Sequence, residues 1–417
     1  MSNINTPSGY KSSPLGIIPK DWEVKRVKDV STIKGRIGYR GYTVEDIVND
    51  GNGAISLSPS NIVDGKLQFN SVTSITWEKY YESSEIMLCN GDIVMVKTGS
   101  SFGKVAFVDN LPQEATINPQ FVIINNIKCD NKWLCYLFDS DCIQKNVHKI
   151  VVGGAIPTMS QEEIANFKIA VPTLPEQQRI VSVLSLWDTA IAKQTALIEK
   201  LTLRKRGLMQ QLLTGKKRLK GFEGEWKKCA IKSFAKEVSI RNTDNKDYVV
   251  LSCTKYDGLV PSLEYFGKQI YSNDLSTYKV VPKNHFAYAT NHIEEGSIGY
   301  QANFNNGLIS PMYTVFETDK EKVDDTYLFA VLKSHHLIYL YQAMMEGSIN
   351  RRGGLRWDSF STIKVNLPSL EEQKAISGFL QRSDKEIEIQ KQKLATLQEQ
   401  KKGLMQVLLT GKKRIKN

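Results

Sequence analysis

GLMQQLLTGKKRLK, at residues 207–220, returns almost unchanged as GLMQVLLTGKKRIK at residues 403–416. The strings differ at two positions and lie 196 residues apart. The match extends upstream without a gap, with 22 of 47 positions identical between 174–220 and 370–416. A period this long divides the chain into a variable half, a shared element, a second variable half and the shared element again.

The shared element reads as a long helix. Pro172 and Pro368 stand just before it, and Thr173-x-x-Glu176 and Ser369-x-x-Glu372 predict a capping box at each start. Gly215 and Gly411 suit the C-terminal caps. The forty residues from 174 to 213 would make a rod about 60 Å long. Apolar residues recur in a narrow, heptad-like stripe. In the first copy it is Leu184, Ile191, Ile198 and Leu212, with Leu201 and Leu208 on the adjoining seam. In the second it is Leu380, Ile387, Leu394 and Leu408, with Leu397 and Leu404. Lys205 and Gln194 interrupt the first copy where Lys401 and Gln390 interrupt the second. So narrow a stripe suits two helices pairing with each other, and these twelve residues are the expected surface for helix pairing or partner docking. Basic residues crowd both ends, among them Arg204, Arg206, Lys216, Lys217 and Arg218. Those charges fit either a solvated helix end or a dock for phosphates or a partner subunit.

The variable halves, 1–171 and 221–367, resemble each other faintly. Each opens on a Trp in a basic setting, Trp22 and Trp226. Each continues in short apolar runs broken by Gly, Asn and Pro, such as GDIVMVKTGSSFGKVAFV and HFAYAT, which read as strands and turns. Segments 131–149 and 325–346 read as helices. The expected fold class is therefore α+β: two strand-rich halves alternating with two long helices that pair as an antiparallel coiled coil. Its expected domains are 1–171, 172–220, 221–367 and 368–417.

At 417 residues, 41% hydrophobic and 24% charged, the chain can bury more than one core. A net charge of +11 favours an acidic partner such as nucleic acid. No apolar run approaches the ~20 residues of a membrane span, and MSNINTPSGYKSSPLG at the start carries no signal-peptide core. A cytoplasmic protein without membrane contact is expected. The six cysteines form no CxxC pair, so reduced buried thiols are expected and no metal site.

Candidate DNA contacts lie in loops, where Arg and Lys beside Asn, Ser and Thr supply what phosphates and base edges need. In the first half they are Lys34, Arg36, Tyr39 and Arg40, then Ser60 and Asn61. Lys97, Thr98, Ser100, Ser101 and Lys104 follow between two strand-like runs. In the second half Thr290, Asn291 and His292 follow HFAYA in what reads as the counterpart place, and Arg351, Arg352 and Arg356 decorate a Gly-rich loop. GSSFGK, ending at Lys104, has three residues between its glycines and Val105 after the lysine, so it reads as a hairpin turn and not a phosphate loop. G-x-G-x-x-G, HExxH, GxSxG and the Asn/Asp-Pro-Pro-aromatic tetrapeptide of adenine methyltransferases are absent. The residues make no positive case for catalysis, and no catalytic residue is named.

The helix openings PTLPEQQRIVSVLSLWDTAI and LPSLEEQKAISGFLQRSDKEI, the GLMQ-x-LLTGKKR endings and the stretch RGYTVEDI…GAISLSPSNIVDG together resemble the specificity subunits of Type I restriction–modification systems. The resemblance spans essentially the whole chain. It implies two target recognition domains, each reading half of a bipartite, asymmetric DNA target, with the helices setting the gap. It further implies one copy of this chain with two methyltransferase subunits, which would methylate adenine N6, and two restriction subunits for ATP-dependent cleavage. S-adenosylmethionine, ATP and Mg would then bind those partners and no cofactor this chain. Two other readings stay open: a nucleic-acid scaffold without sequence choice, and a stand-alone DNA-modifying enzyme.

Overall fold

A computed structural model describes residues 6–36, 41–49, 51–149, 157–346 and 354–415. The chain forms two compact units, residues 1–195 with 392–417 and residues 196–391. Each long helix, Leu174–Leu213 and Leu370–Leu408, gives its first part to one unit and its remainder to the other.

Both units follow one plan. In the first half, strands Thr32–Lys34, Phe121–Asn125, Ile93–Val96 and Val105–Phe107 lie side by side in a mixed sheet that Lys66–Leu67 and Ile62–Val63 complete. In the second half, Ala235–Val238, Tyr313–Thr318, His285–Ala289 and Ile298–Gln301 take the same order. Each half adds a second four-stranded sheet containing one parallel pair, Ala54–Leu57 with Ala115–Ile117 or Val249–Thr254 with Asn306–Ile309. A two-stranded ladder closes each half where the chain enters and leaves it: Glu23–Arg26 with Lys168–Val171, and Lys227–Ala230 with Lys364–Leu367.

The expected helices at 131–149 and 325–346 are each two helices. Asn131–Asp139 stops before Asp141–Lys149 because Ser140 is extended and its hydroxyl donates back to the Leu137 carbonyl. Asp325–Leu332 and His335–Glu346 part at Ser334, whose hydroxyl accepts from the Leu337 N–H and so starts the second helix. Serine competes with a helix for its own backbone groups, which favours such breaks.

The capping boxes form only in part. Ser369 accepts from the Glu372 N–H at 3.3 Å, but neither glutamate turns back to its cap. Glu176 and Glu372, 2% and 1% exposed, point at arginines beyond the far end of the other helix. Arg414 reaches Glu176 at 2.5 and 2.8 Å, and Arg218 grips Glu372 through two bonds of 2.6 Å. The next residue does the stapling. Gln177 donates to the Pro172 carbonyl and accepts from the Asp130 N–H, and Asp130 caps the helix at Asn131. Gln373 repeats this with Pro368 and Asp324, which caps the helix at Asp325.

The two lysines that interrupt the apolar stripe form ion pairs. Lys401 bonds Asp188 at 2.6 Å, and Lys205 bonds Asp384. Inside each unit the partners advance in opposite directions along the two helices, 176 with 414 and 188 with 401, then 205 with 384 and 218 with 372. The helix segments therefore pair antiparallel. Several of the basic residues at the helix ends are thus consumed by acidic groups within the chain. Among the stripe residues, Leu184, Leu201, Leu212, Leu380 and Leu408 are buried, and Ile191, Ile198, Leu208, Ile387, Leu394, Leu397 and Leu404 are half-buried. Each unit's main core draws on both helices: Ile180, Leu184 and Leu408 join Trp22, Trp133 and Phe138 in one, and Leu212, Ile376 and Leu380 join Tyr327 and Phe360 in the other.

Gly215 and Gly411 both stand at φ +70, the left-handed turn in which a Cβ is strained, and the bonds from Lys217 to Gln211 and from Lys413 to Val407 close the helix ends. All six cysteines are free; Cys89 is exposed and the others half-buried, so the expectation of buried thiols does not hold for Cys89. No helix among the described residues is long and apolar enough to cross a membrane.

Candidate DNA interface

In the first unit, four loops distant in sequence share one end of the recognition half. The Arg36 guanidinium donates to the Ile117 carbonyl at 3.2 Å, Asn118 N–H to Leu57 at 3.0 Å, and Lys97 N–H to Gln120 at 2.7 Å. These bonds bring together the segments carrying Lys34 and Arg36, Ser60 and Asn61, and Lys97 and Thr98. Residues 97–104 join two antiparallel strands, in register at Met95 and Val105, and the turn closes through Gly103 N–H to Val96 at 2.9 Å. It is a hairpin. Its base is braced by residues 157–159: Thr98 Oγ1 lies 2.8 Å from Thr158 Oγ1, and Met159 N–H donates to Lys97. Ser100 and Lys104 are exposed; Lys97, Thr98 and Ser101 are half-buried.

Not every candidate faces outward. Asn61 is 4% exposed. Its amide accepts from Ser58 N–H at 2.8 Å and donates to the Gln68 and Ser71 carbonyls, so it shapes the loop and leaves exposed Ser60 to meet solvent. Arg36 is half-buried, and desolvation draws its guanidinium below its ordinary pKa while Glu85 and Glu82 oppose the shift. Lys34 ends an edge strand and is half-buried. Tyr39, Arg40, Arg351 and Arg352 lie outside the described residues.

In the second unit, Thr290, Asn291 and His292 leave the strand His285–Ala289, which holds the sheet position of Ile93–Val96. Thr290 donates its hydroxyl to the Met312 carbonyl at 2.8 Å and accepts the Leu355 N–H through its own carbonyl. That second bond lays the segment ending in exposed Arg356 beside it. The approach is close: a Cβ on Gly354 would sit 2.4 Å from Asn291 Oδ1. Asn291 and His292 are exposed and border a cleft of about 340 Å³ with Tyr271, Ser310 and Met312. His292, Glu294 and Glu295 place one ligand atom each within 4.8 Å of one another. His292 and Glu295 lie 3.6 Å apart along one short turn.

Sequence reasoning overlooked Asn118, Gln120 and Thr158 in the first half and Tyr271, Ser310 and Met312 in the second. The signal for the first two was the polar NPQ between apolar runs. Nothing local marks the others.

Two recognition halves built on one sheet plan, joined through a repeated helix, define a class of DNA-reading proteins. The family described as Type I restriction modification DNA specificity domain matches residues 19–203 and 224–399. The chain belongs to that family. It is 26% identical to the putative type I restriction enzyme MjaX specificity subunit of Methanocaldococcus jannaschii, over 98% of this chain and 97% of that one. To the MjaVIII specificity subunit of the same organism it is 25% identical, over 96% and 95%. Among solved structures, a chain from a study of complex assembly and conformational transition of the type I R-M system superposes with a TM-score of 0.60 at 16% identity, over 94% of this chain and 99% of that one. The HsdS subunit of Thermoanaerobacter tengcongensis superposes with 0.51 at 16% identity, over 94% and 98%. The structural likenesses bear on the fold.

Proposed function

We propose that this chain chooses the DNA sequence for a Type I restriction–modification complex and performs no chemistry itself. Each half reads one part of a bipartite target, and the helix pair fixes the unread gap. The observation that carries this reading is the equivalent placement of unlike loops. Lys97 and Thr98 leave one sheet where Thr290, Asn291 and His292 leave the other. Equivalent placement suits two half-sites read in the same manner. Unlike side chains suit two different half-site sequences. A scaffold without sequence choice would not need its halves to differ there.

On this reading two methyltransferase subunits act at adenine N6 with S-adenosylmethionine, taking the base out of the stack. Two restriction subunits add ATP- and Mg-dependent cleavage. One copy of this chain, carrying no cofactor, serves the assembly. The test is to express the chain with its methyltransferase subunit in a host lacking adenine methylation and map N6-methyladenine by long-read sequencing. A split, asymmetric motif that vanishes when this chain is omitted is expected. Methylation that persists without the chain would overturn the reading.

A further inference from the structure

One turn recurs in both recognition halves within the same frame of hydrogen bonds. It leads from the parallel-paired strand, Ala115–Ile117 or Asn306–Ile309, into the sheet strand Phe121–Asn125 or Tyr313–Thr318. In the first half it reads Asn118-Pro119-Gln120, and in the second Ser310-Pro311-Met312. Phe121 N–H donates to the Asn118 carbonyl at 3.2 Å, and Tyr313 N–H to the Ser310 carbonyl at 3.0 Å. The opening side chain braces each turn: Gln120 N–H donates to Asn118 Oδ1 at 3.0 Å, and Met312 N–H to Ser310 Oγ at 3.4 Å. Sheet register agrees as well, since Val96 pairs with Phe121 as Ala289 pairs with Tyr313. The third residue of each turn therefore meets the candidate loop of its own half. The Gln120 carbonyl accepts the Lys97 N–H at 2.7 Å, and the Met312 carbonyl accepts the Thr290 hydroxyl at 2.8 Å.

Proline presets the first corner, and backbone bonds fix the second. The turn itself thus makes no demand on the side chain at 120 or 312, yet the two are chemically opposite. Gln120 Oε1 accepts from Asn118 Nδ2 at 3.1 Å, and its Nε2 lies 3.0 Å from where a Cβ on Gly99 would stand. The amide is held beside the hairpin 97–104 with a second lone pair left on its oxygen. An acceptor next to a donor matches the N6 amino group and N7 of adenine. Met312 is 58% exposed at the mouth of the cleft that Asn291 and His292 border. Among the described residues no Asp, Glu, Lys or Arg lines that cleft. A thioether chain distinguishes base edges by apolar contact, and the methyl group of thymine is the apolar feature of the major groove.

We propose that the third residue of this turn is a base-reading position in each half: Gln120 selects adenine, and Met312 selects thymine through its methyl group. One frame thereby delivers two different readings, by hydrogen bonds in the first half and by apolar contact in the second. The proposal rests on the function proposed above.

The test uses the full-length chain with its methyltransferase subunit and maps N6-methyladenine in a host lacking adenine methylation. Gln120→Met should lower the preference for adenine at one position of one half-site by roughly tenfold. Met312→Gln should move one position of the other half-site from thymine to adenine, a gain that a merely structural role would not produce. The remaining bases and the gap should stay fixed in both variants. Met312→Ala keeps the backbone bonds of the turn and should relax the same position. On a synthetic duplex, deoxyuridine in place of that thymidine should weaken methylation by the wild-type complex and leave the Met312→Ala complex unaffected. A split motif that no variant alters, or variants that depress methylation at every site equally, overturns the base-reading assignment alone. A wild-type chain that directs no split motif overturns the functional reading and this assignment with it.

Discussion

The two units carry the same clamp at the helix ends and load it differently. In the first, Arg414 holds both Glu176 and Asp21, and Trp22, fully buried, donates its indole N–H to Glu176 at 2.9 Å. The arginine keeps the Asp21 carboxyl below its usual pKa. In the second, Arg218 holds Glu372 alone and lies over the Trp226 ring, whose buried N–H finds no acceptor among the described residues. The repeated helix carries the arginine and the glutamate. The strand that arrives from each variable half decides what else joins them. One motif can thus be a four-residue network in one place and a two-residue pair with a stacked ring in another.

This difference can be broken experimentally. The largest effect is expected from Arg414→Ala, which leaves Glu176 buried without its cation; about 2–4 kcal/mol of stability should go, read by urea unfolding. Arg218→Ala should cost less, and equal losses would erase the distinction. Next comes Gly411→Ala. Both cap glycines lose their left-handed freedom, roughly 1 kcal/mol each. A Cβ at 411 also meets Pro19 at 2.4 Å, whereas one at 215 meets Trp226 at an ordinary 3.5 Å. Gly411→Ala should therefore lower the melting temperature more than Gly215→Ala. A smaller contrast separates the seam lysines. Lys401 is 17% exposed, pairs with Asp188 and lies over the Tyr136 ring, while Lys205 pairs with Asp384, which is 60% exposed. Lys401→Met should cost about 1 kcal/mol and Lys205→Met under ~0.5. The smallest effect is chemical. Burial pushes the Cys129 and Cys253 thiols up to about 12, so at pH 8 they hold almost no reactive thiolate. Exposed Cys89 should react first with a disulfide reagent, and simultaneous labelling of all three would indicate looser packing.

The helices were legible because their signal is local and repeated. An apolar stripe, prolines at the start and a glycine at the end state both extent and pairing. Lys205 and Lys401 looked like faults in that stripe, although Asp188 and Asp384 already stood at matching positions as their partners. The breaks at Ser140 and Ser334 were hidden because the apolar pattern runs through both. Asn61 is a candidate DNA contact on its side chain alone, while Ser58-x-x-Asn61 is a turn signal of the same spacing as a capping box. The gathering of residues 36, 57, 97 and 117 at one end is a product of sheet pairing between distant segments, which no local pattern states. That is why the candidate loops are legible one by one and their neighbours Gln120, Thr158 and Met312 are not.

The central claim is that two halves of one plan read DNA separately. The most direct test replaces residues 1–171 with the corresponding half of another specificity subunit and maps N6-methyladenine in cells carrying the same methyltransferase subunit. One half of the split motif should change while the other half and the gap stay fixed. A motif that changes in both halves, or in neither, would contradict separate reading.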